Sequence, residues 1–380
     1  MANKKKILVL IDWFLPGYRA GGPIQSVSNL LELLKHEYEF AIITKDTDHQ
    51  SNVPYPNIES NTWIDREGYR IYYYSDAYIS MSRLKDLVLA EQCDYLYINS
   101  MYSVPFTIWP LLLFGRKKQA FQIVLSPRGM LQPGSVTIKA WKKVPFLKLV
   151  RWSGIPRNIR WFATNEDEKS FMEGHFGQGL DIRIASNIPR QLQHPWKSLP
   201  KRSGAARFVF TSRVSPIKNL EFFIGLLKDA KGEVIFDIYG TKEEDSYWAI
   251  CERAIAALPP NVSVNYKGEV PQPQVAEVLS NYHFFVSMSK GENFGHAIFE
   301  AMIAGRPVLI GDRTHWHNLA PQKVGWDTPL DQPAAHQKVI AQCIAMGQEE
   351  YDTWSLAAWS FAKRYKESPE ILEKVRKIFD

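Results

Sequence analysis

A chain of 380 residues, 45% of them hydrophobic, is too long for one ordinary core and too apolar to be disordered, so it is read as two domains. No apolar run approaches the ~18 residues of a membrane span, and the longest, around Trp109 to Phe114, is far too short. Three scattered cysteines (Cys93, Cys251, Cys343) form no CxxC pair, which argues against a disulfide framework or a cysteine zinc site; a cytoplasmic location is the simplest reading.

In chain order, Lys4-Lys5-Lys6 precedes the apolar stretch Ile7–Ile11, but Asp12 ends it and no small-residue cleavage site follows. The stretch therefore reads as a buried first strand rather than a secretory signal. Further strands are expected at Phe40–Thr44, Arg70–Tyr74, Tyr95–Asn99, Gln122–Leu125, Trp161–Thr164 and Ile182–Ala185. Pro23 sits at a first helical position, followed by Val27, Leu30, Leu31 and Leu34 at helical spacing. Ser82 and Thr164 are expected to cap two more helices.

From Ile188 to Ser203 periodicity disappears, and Pro189, Pro195 and Pro200 suggest a linker over 189–203. Alternation then restarts with strands at Phe208–Thr211, Val234–Tyr239, Val262–Tyr266, Phe284–Ser287 and Val308–Ile310, separated by helical segments. The fold class expected is α/β: two doubly wound Rossmann-like domains, 1–188 and 204–355, facing across a cleft. Ligands of such sheets bind at the carboxyl ends of strands, so loops that follow strands are where function is sought.

The strongest constellation is Ser287-Met288-Ser289-Lys290-Gly291-Glu292-Asn293-Phe294-Gly295, which follows an apolar strand and opens a helix carrying Glu300. A glycine-containing loop that feeds a helix N-terminus offers backbone amides and a positive dipole end to a phosphate. Glu292 can project from the loop, and Glu300 inside the helix suits a pair of ribose hydroxyls. Taken alone, such a spacing of glutamates is what solvated helix-surface residues also produce. After the first strand of the second half comes Thr211-Ser212-Arg213-Val214-Ser215-Pro216-Ile217-Lys218-Asn219. An arginine fork and a lysine point charge can together neutralise a diphosphate.

These segments, with Glu300-Ala301-Met302 and Ala304-Gly305-Arg306-Pro307-Val308, resemble the signature of glycosyltransferase family 4, retaining enzymes of the GT-B fold. The resemblance implies transfer of a hexosyl-type group from a UDP-, GDP- or ADP-sugar to a glycan or lipid-linked saccharide, in bacterial surface-polysaccharide assembly. It implies that Arg213 and Lys218 hold the diphosphate and Glu292 the sugar. Glu300 would take the ribose, and Asn293, Phe294 and Gly295 would approach the sugar and phosphates. No metal or other cofactor is expected. Ser212 and Asn219 replace the glycines usual in the family. The segment Ala358–Ala362 resembles the family's last helix, so 356–380 is expected to return to the N-terminal domain.

In the first half, Gly21-Gly22 would let a donor or acceptor approach the backbone closely, and Arg128 in Ser126-Pro127-Arg128-Gly129-Met130 would contact the donor or an anionic acceptor. Arg128 cannot act as a base at neutral pH. Asp46-Thr47-Asp48 spells a metal-binding D-x-D but reads as a solvated loop, and His315 and His317 do not read as zinc ligands.

The net charge of +6 is unevenly spread: Tyr95 to Asn165 holds eleven Lys and Arg and no Asp or Glu. Within it, Lys139, Trp141, Lys142, Lys143, Lys148, Arg151 and Trp152 interleave cations with aromatics, the chemistry of a peripheral membrane or acceptor patch at the inner face of the cell membrane. Pro145 is expected to interrupt that helix. A nucleic-acid surface fits the same charges less well, because no RNA-binding motif accompanies them. Two other functions stay open on sequence: a nucleotide-sugar epimerase, which would turn over donor without acceptor, and a non-catalytic basic binding protein, which would have no nucleotide affinity.

Overall fold

Alternation along single strands dictates the layering. In the first strand Leu8 and Leu10 enter one apolar cluster while Ile7 and Val9 enter another, so both faces of the sheet are covered. The computed structural model describes residues 4–189 and 195–380 and divides the chain into two units, Met1–Ile188 with Pro369–Asp380, and Pro189–Ser368.

Unit 1 begins with β1 (Lys6–Leu10), α1 (Gly22–Leu34), β2 (Glu39–Lys45), β3 (Trp63–Arg66), β4 (Tyr69–Tyr74), α2 (Met81–Ala90) and β5 (Tyr95–Ile98). It continues through α3 (Trp109–Phe114), β6 (Gln122–Leu125), α4 (Pro133–Thr137), α5 (Ala140–Trp152), α6 (Ile155–Asn158), β7 (Arg160–Ala163), α7 (Glu166–Phe176) and β8 (Asp181–Ile184). The sheet order is β3-β4-β2-β1-β5-β6-β7-β8, parallel except for β3, which pairs antiparallel with β4 at the edge. The strand order reverses direction between β1 and β5, so the crevice of a doubly wound sheet opens there.

Unit 2 comprises β9 (Ala205–Thr211), α8 (Leu220–Leu226), β10 (Glu233–Tyr239), α9 (Asp245–Ala256), β11 (Val262–Gly268), α10 (Val275–Leu279) and β12 (Phe284–Ser287). After these come α11 (His296–Ile303), β13 (Val308–Gly311), β14 (Gly325–Thr328), α12 (Pro333–Ala345) and α13 (Gln348–Lys366). Its six strands are all parallel in the order β11-β10-β9-β12-β13-β14, which puts the reversal between β9 and β12. Phe208 and Phe210 face one cluster and Val209 the other, repeating the two-sided burial of unit 1. A last helix, α14 (Pro369–Arg376), belongs to unit 1.

Several boundaries differ from those read in the sequence. Residues 195–203 are fastened to unit 2: Trp196 Nε1 donates to Ser355 Oγ at 3.0 Å, and Lys201 Nζ donates to the Met346 carbonyl at 2.9 Å. The rest of the expected linker, 190–194, lies outside the described residues. The chain returns to unit 1 at Pro369, not at 356: Ala358 and Ala362 of α13 pack beside Phe294 and Trp316, while Val375, Ile378 and Phe379 join the β1 cluster. Small residues on α13 let it lie close to α11, which keeps that helix in unit 2. Helix caps shift as well. Ser80 caps α2, and Asn165 caps α7, because Thr164 instead donates its hydroxyl to Glu168 at 2.6 Å.

Asp46 is buried and accepts from Ser60 Oγ at 2.7 Å, and Asp48 accepts from the Tyr18 amide at 3.0 Å. The D-x-D is therefore a brace for neighbouring loops rather than a solvated loop. Among the described residues no group of three His, Cys, Asp or Glu is arranged to hold a metal.

His283 is an internal pin for the start of unit 2. Its Nδ1 accepts from the Arg207 amide at 3.0 Å, so Nε2 is the protonated nitrogen, donating to the Pro200 carbonyl at 3.0 Å. Burial depresses the imidazole to about 4, below its ordinary value of 6.5. The folded state thus disfavours protonation, and its stability is full above pH 6.5 and declines as pH falls toward 4, by up to about 1.4 kcal/mol per pH unit. His283→Asn keeps an acceptor for Arg207 without titrating. Urea denaturation between pH 7 and 4 should show a shallower pH dependence for the variant; an identical slope would contradict the assignment.

Candidate functional site

The site in unit 2 grows from the two loops that leave β9 and β12 at the strand-order reversal. The first loop, Ser212–Asn219, is braced on the β10 side, where the Val214 amide donates to the Thr241 carbonyl at 2.8 Å and the Glu243 amide donates to the Val214 carbonyl at 3.1 Å. The second, Met288–Gly295, is tied to the first. The Lys290 amide donates to the Ile217 carbonyl at 2.8 Å, and Ser289 Oγ reaches the same carbonyl at 3.2 Å. These bonds place Lys218 against Glu292, and the two side chains form an ion pair in which the lysine is 13% and the glutamate 20% exposed.

Arg213 lies on the same loop as Lys218 but pairs with Glu243, toward β10. Glu300 is buried on α11 and accepts from Gln272 Nε2. Gly295 begins α11 with φ +76°, in the left-handed region, and no side chain among the described residues caps the helix. Phe294 is buried and receives the indole N–H of Trp316 on its carbonyl at 2.6 Å. Asn293 lies between Phe294 and the paired Glu292. Two hydroxyls in the β9 region, Thr211 Oγ1 and Ser215 Oγ, are buried without a hydrogen-bond partner among the described residues, an arrangement that invites an acceptor-rich ligand or water.

Four participants were not singled out by sequence. Glu243 and Gln272 were unmarked because each acts through tertiary contact with a residue some thirty positions away. Thr211 and Ser215 sit within the quoted motif, yet only their unpaired hydroxyls distinguish them. His315 lies in an aromatic group with Phe294 and Trp316.

Unit 1 places its expected residues at the carboxyl ends of its own strands. Gly21 precedes α1 with φ +67°, and a Cβ there would meet nothing within 4 Å, so backbone conformation rather than crowding is what glycine supplies. Gly22 is the first residue of α1. Arg128 is in the left-handed region at φ +54°. Its Nε donates to Asn99 Oδ1 at 2.9 Å, its two terminal nitrogens donate to Asn187 and the Tyr97 hydroxyl, and its guanidinium lies over the Phe162 ring at 4.9 Å. All these partners are neutral, and among the described residues Arg128 has no ion pair. The loop is held by Glu168, which is buried and accepts from the Gly129 amide at 2.6 Å and the Thr164 amide at 2.8 Å. At the end of β1, burial raises the Asp12 carboxyl above the usual range although Ser103 donates to it at 2.7 Å.

Residues 196–324 match the family model described as glycosyl transferases group 1, a span that lies within unit 2. A comparison with curated protein sequences gives no significant match. Among solved structures, sucrose-phosphate synthase from Thermosynechococcus elongatus is similar with a TM-score of 0.70 and 16% identity, over 99% of this chain and 98% of that one. HepE of Anabaena, in complex with UDP and glucose, gives a TM-score of 0.66 and 15% identity over 98% of each chain. A TarM mutant of S. aureus, in complex with Fondaparinux, alpha-GlcNAc-glycerol and UDP, gives 0.61 and 14% over 99% of this chain and 100% of that one. The shared architecture of two parallel-sheet, Rossmann-like units is the GT-B fold.

A Cβ on Gly295 would fall 2.7 Å from Ile298 Cδ1 and 3.2 Å from Glu292 Cγ. Together with the left-handed backbone, this predicts that Gly295→Ala lowers unfolding free energy by about 1–3 kcal/mol. Chemical denaturation of both proteins checks this; an unchanged midpoint would refute it.

Proposed function

We propose that this protein is a retaining glycosyltransferase that moves a hexosyl-type group from a nucleoside-diphosphate sugar to a hydroxyl of a glycan or lipid-linked saccharide, in bacterial surface-polysaccharide assembly. The observation that carries the reading is the meeting of Lys218, Glu292 and the Gly295 helix start at the strand-order reversal of unit 2. It lies inside the span that matches glycosyl transferases group 1, and the similar HepE and TarM structures are described as complexes with UDP.

The chemistry follows from charge. Breaking a bond between an anomeric carbon and a phosphate develops an oxocarbenium-like sugar and a negative diphosphate. Lys218 and Arg213 supply positive charge to that leaving group, and the amides at the start of α11 add the positive end of a helix dipole. Lys218 pairs with Glu292 and Arg213 with Glu243. A diphosphate competes for both cations, which frees the Glu292 carboxylate to accept from donor-sugar hydroxyls. Glu300 receives the ribose in place of Gln272, and Asn293 and Phe294 shape the loop around the sugar. The leaving phosphate takes the acceptor proton, so same-face transfer needs no dedicated protein base. On unit 1, Gly21 and Gly22 permit close backbone approach, and Arg128 presents a fixed cation to donor or acceptor anions. Charge neutralisation by side chains makes a metal unnecessary in this scheme.

Two measurements test the reading. A thermal-shift screen with UDP-, GDP- and ADP-sugars should raise the apparent stability for one base class, because a ligand that binds only the folded state stabilises it. Lys218→Ala and Glu292→Ala should each cost at least about a hundredfold in transfer with the circular dichroism spectrum unchanged. Full activity in either variant, or epimerisation of donor without acceptor, would contradict the assignment.

A further inference from the structure

α5 is apolar on two sides, and among the described residues only one of them has a partner. Leu147 and Val150 are buried in the unit 1 core, and Phe146 packs against it. On the opposite side Trp141, Pro145, Lys148 and Trp152 follow the i, i+4, i+7, i+11 progression of one helical stripe. Trp141 is 74% and Trp152 79% exposed; of the twelve tryptophans, only these two belong to the exposed class. Leu149 on the same helix is 66% exposed, and Ile138 just before it 56%. An aromatic side chain left in water on a helix whose other face is already anchored is not serving the core of this chain.

The cations around the stripe are equally uncommitted. Among the described residues Lys139, Lys142 and Lys148 have no carboxylate partner, and Lys142 lies over the Trp141 ring at 4.7 Å. Arg151 makes one long contact, to the His175 carbonyl at 3.5 Å. Lys143 is different. Its Nζ donates to the Ser135 carbonyl at 2.6 Å, it sits 4.8 Å over the Tyr102 ring, and burial lowers its pKa. It belongs to the inner face, which corrects its inclusion in the patch. The helix also runs through Pro145 rather than breaking there. The missing amide removes the bond to the Trp141 carbonyl, and because that turn is exposed, water can take the bond's place.

We infer that the outer face of α5 docks flat on an anionic lipid surface, with Trp141 and Trp152 at the headgroup level and Lys139, Lys142, Lys148 and Arg151 against lipid phosphates. Tryptophan is suited to that depth because its body is apolar and its N–H polar. Lysine and arginine stems can lie along the apolar stripe while their charges reach outward. Thirteen residues give a contact about 20 Å long, enough to set the helix parallel to the surface. A second copy of this chain is a poorer occupant, since four cations would face four cations. The exposed Leu149 and Ile138 find no counterpart in a nucleic-acid backbone. Docking stands independently of the transfer reaction; if the acceptor is lipid-linked, it brings unit 1 to its substrate.

The test uses the full chain and flotation with phosphatidylcholine vesicles, alone or mixed equally with phosphatidylglycerol. The protein should float with the mixed vesicles at low salt, release at high salt, ignore pure phosphatidylcholine, and show a blue-shifted tryptophan emission when bound. Trp141→Ser with Trp152→Ser, and separately Lys142→Glu with Lys148→Glu, should each weaken partitioning by at least about tenfold. Both surface variants should keep the wild-type melting curve and the wild-type stabilisation by nucleotide. Absence of wild-type binding to mixed vesicles would overturn the inference, as would variants that float like wild type. A mass by light scattering that falls from dimer to monomer in the tryptophan variant would assign the face to self-association instead, and tight single-stranded RNA binding lost in the lysine variant would assign it to nucleic acid.

Discussion

The contact on which the candidate site depends is the ion pair between Lys218 and Glu292. It joins the loop that leaves β9 to the loop that leaves β12, where the strand order of unit 2 reverses. Two opposite charges held mostly out of water repay their desolvation poorly when their only function is structural. On the proposed function they are charges stored beside one another until a ligand with both a phosphate and hydroxyl groups separates them. The neighbouring features share that character. Arg213 is balanced by Glu243, Glu300 accepts from Gln272, and the Thr211 and Ser215 hydroxyls are buried without a partner among the described residues. On the proposed function, a nucleotide sugar replaces the stand-in partners and satisfies the orphans together.

Unit 1 is organised by other physics. Its carboxyl edge carries a cation, Arg128, held by three neutral groups, and its loop is fixed by a buried glutamate accepting backbone amides. Away from that edge, α5 spreads tryptophans and lysines over a broad face. A deep, local charge site selects a ligand by the geometry of a few atoms, whereas a shallow amphipathic face binds by area and field and is sensitive to salt. Placing the two kinds of surface on different units lets each be altered without disturbing the other.

The central strands were legible because buried parallel strands read as short apolar runs between turn signals, as Ile7–Ile11 and Phe284–Ser287 do. β3 and β14 were missed because an edge strand need not be continuously apolar: Trp63–Arg66 ends in two charges, and Gly325–Thr328 begins with glycine. The second-unit site was legible as two loops at strand ends. Its pairing was not, since nothing local tells Lys218 that it will meet Glu292 seventy-four residues later, or Arg213 that it will meet Glu243. The D-x-D was misjudged for the same reason. Asp46 looks solvated in sequence, yet tertiary contacts with Ser60, Tyr55 and Tyr74 hold it internally. Pro145 was overweighted because a missing amide is tolerated on an exposed turn such as that of Trp141 and Pro145.

The most direct test of the account is calorimetric: UDP and GDP against uridine and guanosine, titrated into the wild-type protein and into the Arg213→Met, Lys218→Met double variant. If the two cations and the start of α11 hold a diphosphate, one nucleoside diphosphate binds the wild type far more tightly than its nucleoside, and that advantage collapses in the double variant while the nucleoside binds as before. An advantage of the diphosphate that persists without both cations, or a wild-type protein that binds neither nucleotide, would contradict it.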